Sequence, residues 1–449
     1  MSFPTTLFGL SLLAITGAGC APGAHGSLAA SRETRPGRET SVEALAFPGA
    51  VGWAATTPGG RGGAILRVTT LDGDGPGSLA EALAASGPRI VVFEVGGVID
   101  LDSAHIEVVE PFLTVAGQTA PSPGITLIRG GITIQTHDVV VQHIRVRPGE
   151  AGAAKTSGWE IDALSTGSGA HDVIIDHCST TWATDENLSA SGTRFGGKTP
   201  DDWRQKTSHR VTISHSIIAE GLSQSTHGKG EHSKGSLIHD NATDIAIVGN
   251  LYASNVERSP LFKGGARGVI VNNYIHNAGK TAIKYNLHAQ EWGAHPFQTG
   301  QMVVVGNVFT YGPNTSPGAP LVYVGGDGPC QVYLEDNTAS DRAGQPVPPL
   351  GGKQENIVPL SQRPFWPKAL AAIPAGEVRA AIEKDVGARP WDRDAIDARI
   401  VREALSGGGK IIDSERDVEG YPSPPPSAAP FRPAEWDLDT MTRLPGGAR

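Results

Sequence analysis

The chain has 449 residues and a formal net charge of −9, with only 18% charged residues and three cysteines. The acidic balance argues against a nucleic-acid partner, which would need a basic surface, and three cysteines exclude a disulfide framework. Hydrophobic residues make up 39% of the chain and glycines number 58, so we expect a real core in a β-rich, turn-rich protein.

Residues 1–20 are typical of an export signal. The apolar run from Leu7 to Ile15 is too short to span a membrane, and a run of small residues ending at Cys20 follows it. That ending resembles a bacterial lipoprotein cleavage site, so we predict an exported protein, either secreted or anchored to the cell envelope through a lipid on Cys20. Residues 21–43 lack periodicity and are rich in Ala, Gly, Ser, Arg and Pro, which predicts a disordered tether.

The first ordered elements predict a short helix between two strands. Ala64 to Val68 and Arg89 to Phe93 have the composition of strands. The sequence from Leu79 to Ala84 indicates a helix, with Ser78 as its N-cap. A lone amphipathic helix at the start of a β-rich chain suits a cap over an exposed end of the core.

A repeat dominates residues 113–340. Short β-branched runs recur at steps of 23–38 residues, and each ends in His or Asn. The terminal residues are His143, His177, His215, Asn250, Asn273, Asn307 and Asn337. Repeats of this length predict a solenoid or a propeller. The variable step favours a parallel β-helix with loops of different length, and an array of β-sandwich domains is the weaker alternative.

The composition changes again near residue 345. Ala375 to Glu383 and Asp394 to Leu405 have apolar residues at helical spacing, and a Pro-rich stretch follows Tyr421. We therefore predict a β-helix domain over residues 44–345 and a helical extension with a loose tail over residues 346–449. We expect Cys178 and Cys330 to be buried thiols, with a bridge between them as the alternative.

Four acidic residues cluster in the stretch from 158 to 189. They are Asp162, Asp176, Asp185 and Glu186. Their spacing is too irregular for one helix face, and the Gly and Ser between them indicate turns. Each acid is therefore either a turn cap or part of a cation site.

Several phrases resemble the pectate lyase family of right-handed parallel β-helices. They include AFPGAVGWAATTPGGRGG, VAGQTAPSPGITL, IIDHCS and TTWATDENLS, and the resemblance spans about residues 45–420. It implies an all-β, right-handed parallel β-helix that cleaves polygalacturonate by β-elimination with Ca²⁺ as cofactor. It also implies an acidic polysaccharide as partner; we expect no protein partner and a monomer.

The resemblance also implies roles for individual residues. Asp162 and Asp185 match two Ca²⁺ ligands of the family, whereas Ser189 stands where many members have a third acid; Glu186 is the candidate replacement. Arg258 matches the catalytic arginine, and Lys234 and Lys263 match substrate-binding cations.

Simpler interpretations stand beside these roles. Asp162 and Asp185 could be turn caps, Asp176 is expected to be a structural hydrogen-bonding residue, and Arg258 could form a salt bridge with Glu257. Free arginine keeps its proton to a pH of about 12.5, so Arg258 could act as a base only where neighbouring positive charge disfavours its cationic form.

Two alternatives for the whole site remain open, and one segment has three interpretations of its own. Asp162, Asp176 and Asp185 could serve an inverting polygalacturonase, which needs two carboxyl groups about 6.5–9.5 Å apart. The chain could also be a non-catalytic β-helix that binds acidic polysaccharide. The segment from 194 to 232 is a basic loop over a polyanion groove, a solvated insertion, or a zinc site that uses His209, His215, His227 and His232.

Overall fold

The computed structural model describes residues 44–232 and 234–445. The predicted signal, with Cys20, and the predicted tether lie outside the described residues. No helix within the described ranges is long and apolar enough to cross a membrane.

Three stacked parallel sheets make up most of the described chain, which is a right-handed parallel β-helix as the sequence indicates. Each coil contributes one strand to each sheet in turn. Sheet 1 contains Ala64–Val68, Arg89–Phe93, Leu113–Ala116, His137–Gln142, His171–Asp176, His209–Ser214, Thr243–Val248, Arg267–Val271, Gly300–Val305, Cys330–Glu335 and Ile357–Pro359.

The other two sheets stack in the same order. Sheet 2 contains Val95–Asp100, Ile125–Ile128, Ile144–Arg147, Ser179–Thr181, Ile217–Ala219, Leu251–Ala253, Tyr274–His276, Val308–Thr310 and Thr338–Ser340, with Ser427–Ala428 added antiparallel at its first edge. Sheet 3 contains His105–Val108, Gly131–Ile134, Leu164–Thr166, Leu188–Ala190, Leu237–Ile238, Leu261–Lys263, Ile283–Leu287, Val322–Gly326 and Leu350–Gly352. A separate pair joins Trp436–Asp437 to Thr442–Arg443.

Helices are short and lie outside the coils. The α-helices are Leu79–Ala84, Pro200–Lys206, Ala289–Trp292, Ala375–Asp385 and Ala395–Ser406, and the 3₁₀ helices are Gly117–Thr119, Gln354–Asn356, Glu415–Val418 and Pro433–Glu435. The first helix has the predicted cap, because the Ser78 hydroxyl accepts a hydrogen bond from the Glu81 N–H. The two predicted C-terminal helices are also present; the second has Asp394 as its N-cap.

Side chains alternate between the inside of the solenoid and its outer faces, as the two-residue period of a strand requires. Val173 and Ile175 point into the central core, whereas Ile174 between them packs outward against Phe47 and its neighbours. Because both faces of these strands are buried, the sheet 1 strands are continuous β-branched runs in the sequence.

A ladder of buried asparagines follows sheet 1. The side-chain Oδ1 of Asn273 accepts hydrogen bonds from the backbone N–H and the Nδ2 of Asn250, both at 2.9 Å. Asn307 and Asn337 continue the pattern. Backbone amides at the corner are thus satisfied where the chain turns away from sheet 1.

The histidines and asparagines of the repeat occupy two different positions, and not one position as the spacing suggests. Ser214 pairs with Val248, so Ser216, and not His215, is level with Asn250; its N–H donates to the Asn250 Oδ1 at 2.9 Å. The rings of His143, His177 and His215 form their own stack, with centroids 5.0 and 4.8 Å apart. The stack ends at Gly249, which has no side chain to place against the His215 ring. A Cβ at this position would lie 3.1 Å from that ring.

The C-terminal extension covers sheet 2. Val378, Ile382 and Ile400 of the two long helices are buried against Trp182 and Ile217 of the solenoid. Solenoid strands continue past the predicted boundary at residue 345 and end at Pro359. The extension therefore begins later than the sequence indicates.

The tail is not loose over its described part, contrary to the sequence prediction. Phe431 and Met441 are buried against Ile90 and Val92 on the outer face of sheet 1, and Ser427–Ala428 pairs with the first strand of sheet 2. Pro-rich sequence carries no periodicity, so this long-range packing left no local signal. Cys178 and Cys330 are buried free thiols, as expected.

Sheets 1 and 2 are thus covered on their outer faces, whereas sheet 3 is different. Residues 46–55, the tail and Leu370 pack on sheet 1, and the long helices pack on sheet 2. Within the described ranges, no hydrophobic cluster joins the outer face of sheet 3 to another segment. Polar side chains along sheet 3 are nevertheless mostly buried, as Ser189, Lys234 and Lys263 are.

Candidate active site

Four of the residues predicted from sequence lie level with one another at the start of the sheet 3 strands. The Ala163 N–H donates to the Glu186 carbonyl at 3.1 Å, and Glu186 forms a parallel bridge with Lys234. The Ser236 N–H donates to the Arg258 carbonyl at 2.6 Å. Successive coils therefore bring Asp162, Glu186, Lys234 and Arg258 into one axial row.

Three carboxylates converge at one end of this row. Asp162, Asp185 and Glu186 each offer an oxygen, and these oxygens all lie within 4.8 Å of one another. The Asp162 Oδ1 also accepts a hydrogen bond from the Glu186 N–H at 2.9 Å. The cluster matches the predicted metal-ligand set, with Glu186 in place of a third acid at position 189.

Ser189 lies elsewhere on the same sheet. It is three residues beyond Glu186, in register with Ser165. Its buried hydroxyl accepts the Leu237 N–H at 3.2 Å, so it serves the backbone between two coils.

Placing these carboxylates together shifts their proton affinities. Burial, reinforced by the charge of Asp185, raises the pKa of Asp162 to about 7. Burial also raises the pKa of Glu186 well above its usual range, although the Arg258 charge opposes this. For Asp185, burial is outweighed by the hydrogen bond from His232, and its pKa falls to about 2. The cluster therefore favours either a proton or a cation between its acids.

Two histidines from the segment 194–232 contact the cluster. The Nε2 of His232 lies 2.7 Å from the Asp185 Oδ1, and the Nε2 of His227 lies 3.8 Å from it. Together with Asp185 they offer three ligand atoms within 4.8 Å of one another. The other two histidines of the zinc alternative, His209 and His215, belong instead to the stacked rings beside sheet 1.

Positive charge borders the other end of the row. Arg258 forms an ion pair with Glu186, and not with Glu257 as the simpler interpretation suggested. Glu257 lies between two lysines, 3.5 Å from the Lys234 Nζ and 2.8 Å from the Lys284 Nζ. These cations outweigh the effect of burial and lower the pKa of Glu257 to about 2, while burial lowers the pKa of Lys234.

Lys263 is not part of the row. It lies five residues beyond Arg258, at the end of the strand Leu261–Lys263, and pairs with Glu291 and with Asp240. Arg194 contacts the same two acids, each at 2.9 Å. The structure therefore places Lys263 in a separate ion cluster farther along sheet 3.

Asp176 lies outside the site, on sheet 1, as expected for a structural residue. Its buried carboxylate accepts hydrogen bonds from Gln142, Ser214, His177 and His215 at 2.7–3.0 Å. These contacts tie the polar corner of three coils together.

Known proteins resemble this chain over most of its length. Probable pectate lyase C of Emericella nidulans is 32% identical over 388 residues, which cover 84% of this chain and 80% of the relative. Probable pectate lyase C of Aspergillus terreus is 33% identical over 395 residues, covering 85% and 82%. The chain belongs to the pectate lyase family. No family model matches it.

Solved structures agree with a pectate lyase fold. The cedar pollen allergen jun a 1 covers 75% of this chain and 92% of its own, at 15% identity and a TM-score of 0.53. A pectate lyase bound to a hexasaccharide covers 78% and 100%, at 12% identity and a TM-score of 0.52. At these identities the likeness supports the fold alone. The relatives named here are fungal, so a bacterial origin stays a prediction.

Sequence reasoning missed several residues that shape the site of this pectate lyase. Lys284 and Asn286 alternate with buried neighbours in Ile283–Leu287, so a two-residue period would have placed Lys284 on the outer face. No local signal pairs Glu257 with Lys234, or His232 with Asp185, because the contacts depend on the lengths of the intervening loops.

Proposed function

We propose that this protein is a Ca²⁺-dependent pectate lyase that cleaves polygalacturonate by β-elimination, with Arg258 as the base. The observation that carries the proposal is the axial row, in which a cluster of three carboxylates adjoins Arg258 and Lys234 at the start of the sheet 3 strands. This juxtaposition supplies both a cation site and positive groups for an acidic polymer.

The donor set fits Ca²⁺. All three candidate ligands, Asp162, Asp185 and Glu186, offer carboxylate oxygens, and Ca²⁺ prefers oxygen ligands. Burial, reinforced by the negative charge of Asp185, raises the pKa of Asp162 to about 7, and a divalent cation bound between these acids would favour their ionised forms. Bound there, Ca²⁺ would neutralise the uronate carboxylate and thereby acidify the adjacent C5–H.

The chain's own residues account for the proton and the substrate charge. Arg258 would take the C5 proton, and the electron pair of the C5–H bond would form the C4=C5 double bond as the C4–O bond breaks. The electrons of that bond would leave on the oxygen, which would take a proton from solvent. Lys234, with Lys284 beside it, would hold neighbouring uronate carboxylates, and Lys263 would contact the chain farther along sheet 3.

The ion pair with Glu186 sets a condition on this role. A guanidinium paired with a carboxylate is stabilised in its cationic form. Proton acceptance by Arg258 therefore requires that the negative charge of Glu186 be engaged elsewhere, as it would be when Glu186 serves as a cation ligand. Glu186 would then link cation binding to the ability of Arg258 to accept a proton.

The hydrolase alternative fits the geometry less well. An inverting hydrolase separates its two carboxyl groups by about 6.5–9.5 Å to admit a water molecule. The site acids have oxygens within 4.8 Å of one another, and Asp176 lies on sheet 1. A non-catalytic β-helix would bind polygalacturonate without forming product, so an activity assay distinguishes it from the lyase.

The test is the formation of the unsaturated product. Purified protein incubated with polygalacturonate and Ca²⁺ should raise the ultraviolet absorbance, and a chelator should stop the rise. A hydrolase would release reducing ends without absorbance, and a binding protein would release neither.

A further inference from the structure

A groove on the C-terminal extension lies apart from the candidate active site. Its volume is about 470 Å³, and it runs between Ala375–Asp385, Ala395–Ser406 and the loop that joins them. Arg379 and Trp391 line it together with Arg393 and Arg402. The helices pack on sheet 2, whereas the candidate active site is on sheet 3.

The indole in this groove is exposed but held in place. Trp391 is 48% exposed, yet its ring lies 5.0 Å from the ring of His143 and the Arg389 guanidinium lies 5.3 Å from it. His143 is in turn hydrogen-bonded to the Ala388 carbonyl at 2.8 Å. A large, fixed, half-exposed aromatic side chain is suited to contact a ligand at little entropic cost.

The three arginines that line the groove differ in their pairing from Arg389, which forms an ion pair with Asp392 at 3.0 Å beside the indole. Within residues 44–232 and 234–445, no ion pair shorter than 4.0 Å involves Arg379, Arg393 or Arg402. Glu383 is the one acid among the groove-lining residues. In a chain with a net charge of −9, this is a local excess of positive charge.

We propose that this groove is a second binding site for the acidic polysaccharide, separate from the site of cleavage. The C–H face of a pyranose ring can pack on the Trp391 indole. Guanidinium groups of Arg379 and Arg402 match the planar carboxylates of uronate residues in bidentate pairs. The identity of the polymer rests on the proposed function.

Such a site would affect the binding and cleavage of long polysaccharide chains. A polymer held at one site is presented to the other at a high effective concentration. The second site should therefore tighten binding and lower KM for long polygalacturonate, and its effect should shrink as the substrate is shortened.

The test uses the full chain carrying Arg258→Ala, so that no substrate is consumed, and polygalacturonate as the probe. Trp391→Ala and the double variant Arg379→Ala/Arg402→Ala should each weaken binding about tenfold in affinity electrophoresis. The charge-matched control is Arg342→Ala/Arg416→Ala, which removes two exposed arginines elsewhere. It should bind like its parent.

Two outcomes would overturn the inference. One is groove variants that bind like the control. The other is an equal loss of affinity for the fully methyl-esterified polymer, which would show that carboxylates are not recognised. In the protein that retains Arg258, the groove variants should raise KM for the long polymer. Their kcat should stay within about twofold of the unaltered value. If the protein that retains Arg258 binds through Trp391 but does not cleave, the proposed function fails and the second site stands.

Discussion

The guanidinium of Arg258 forms an ion pair with the carboxylate of Glu186, which precedes it by 72 residues and lies two coils away in the same axial row. Glu186 is also a member of the cluster with Asp162 and Asp185. One carboxylate therefore connects the candidate base to the candidate cation site.

Arg258→Ala should reduce lyase turnover more than 100-fold while the fold is retained, since one general base contributes about 10²–10⁴ in rate. It should also lower Tm, because Glu186 is left buried without its partner. The double variant Arg258→Ala/Glu186→Gln should recover much of the Tm and none of the activity. If the double variant regains turnover, Arg258 is not the base.

Glu186→Gln should weaken Ca²⁺ binding at least tenfold by calorimetry, because fewer charged ligands lower affinity. The matched control is Glu257→Gln. Glu257 is a partly buried acid beside the row, and its ion pairs within the described residues are with Lys234 and Lys284. This control should leave Ca²⁺ affinity within about twofold. Equal effects of both substitutions would mean that Glu186 acts through general charge and not as a ligand.

Asn273→Ala should destabilise the solenoid by about 2–4 kcal/mol, because the side chain bonds to Asn250, Asn307 and the Ile247 carbonyl in a fully buried position. The shift of the urea midpoint measures it. Gln354→Ala, which removes an exposed amide, should change the midpoint by little. An Asn273→Ala variant with an unchanged urea midpoint would contradict a structural role for the asparagine ladder.

His177 should make stability depend on pH in the alkaline range. Burial lowers its pKa, but Asp176 and Asp385 outweigh burial and raise it to about 10. The folded state therefore holds a proton that the unfolded state loses near pH 6.5. The stabilisation is complete below that pH and is lost as the pH rises through about 10, for a total on the order of a few kcal/mol.

The variant His177→Gln isolates this contribution. Its Tm should lie below that of the unaltered protein at pH 6, and the two should converge near pH 10.5. His171→Gln, which removes a stacked ring at the start of the strand that ends just before His177, is the control. A Tm difference that stays constant across this range would exclude protonation as the cause.

The coils were predictable because they repeat a local pattern. Runs such as Val173 to Ile175 are followed by a polar residue in each coil. Ser78 and Asp394 are the N-caps at the starts of their helices. The one-residue offset between His215 and Asn250 was not predictable, because loops of different length hide which residues pair.

The candidate site was predictable in part, for the same reason. The acid-rich stretch from 158 to 189 contains Asp162 and Asp185, and the resemblance to the family gave roles to these acids and to Lys234 and Arg258. Contacts made across the long loop, such as His232 with Asp185, have no sequence period. Likewise the burial of Phe431 depends on where a Pro-rich tail folds back, which no local pattern encodes.

The most direct test of the account is the ultraviolet absorbance of polygalacturonate during incubation with the protein. We expect a steady rise with Ca²⁺, no rise with chelator, and recovery when Ca²⁺ is added back. Reducing ends released without any gain in absorbance, or a rise that a chelator leaves unchanged, would contradict it.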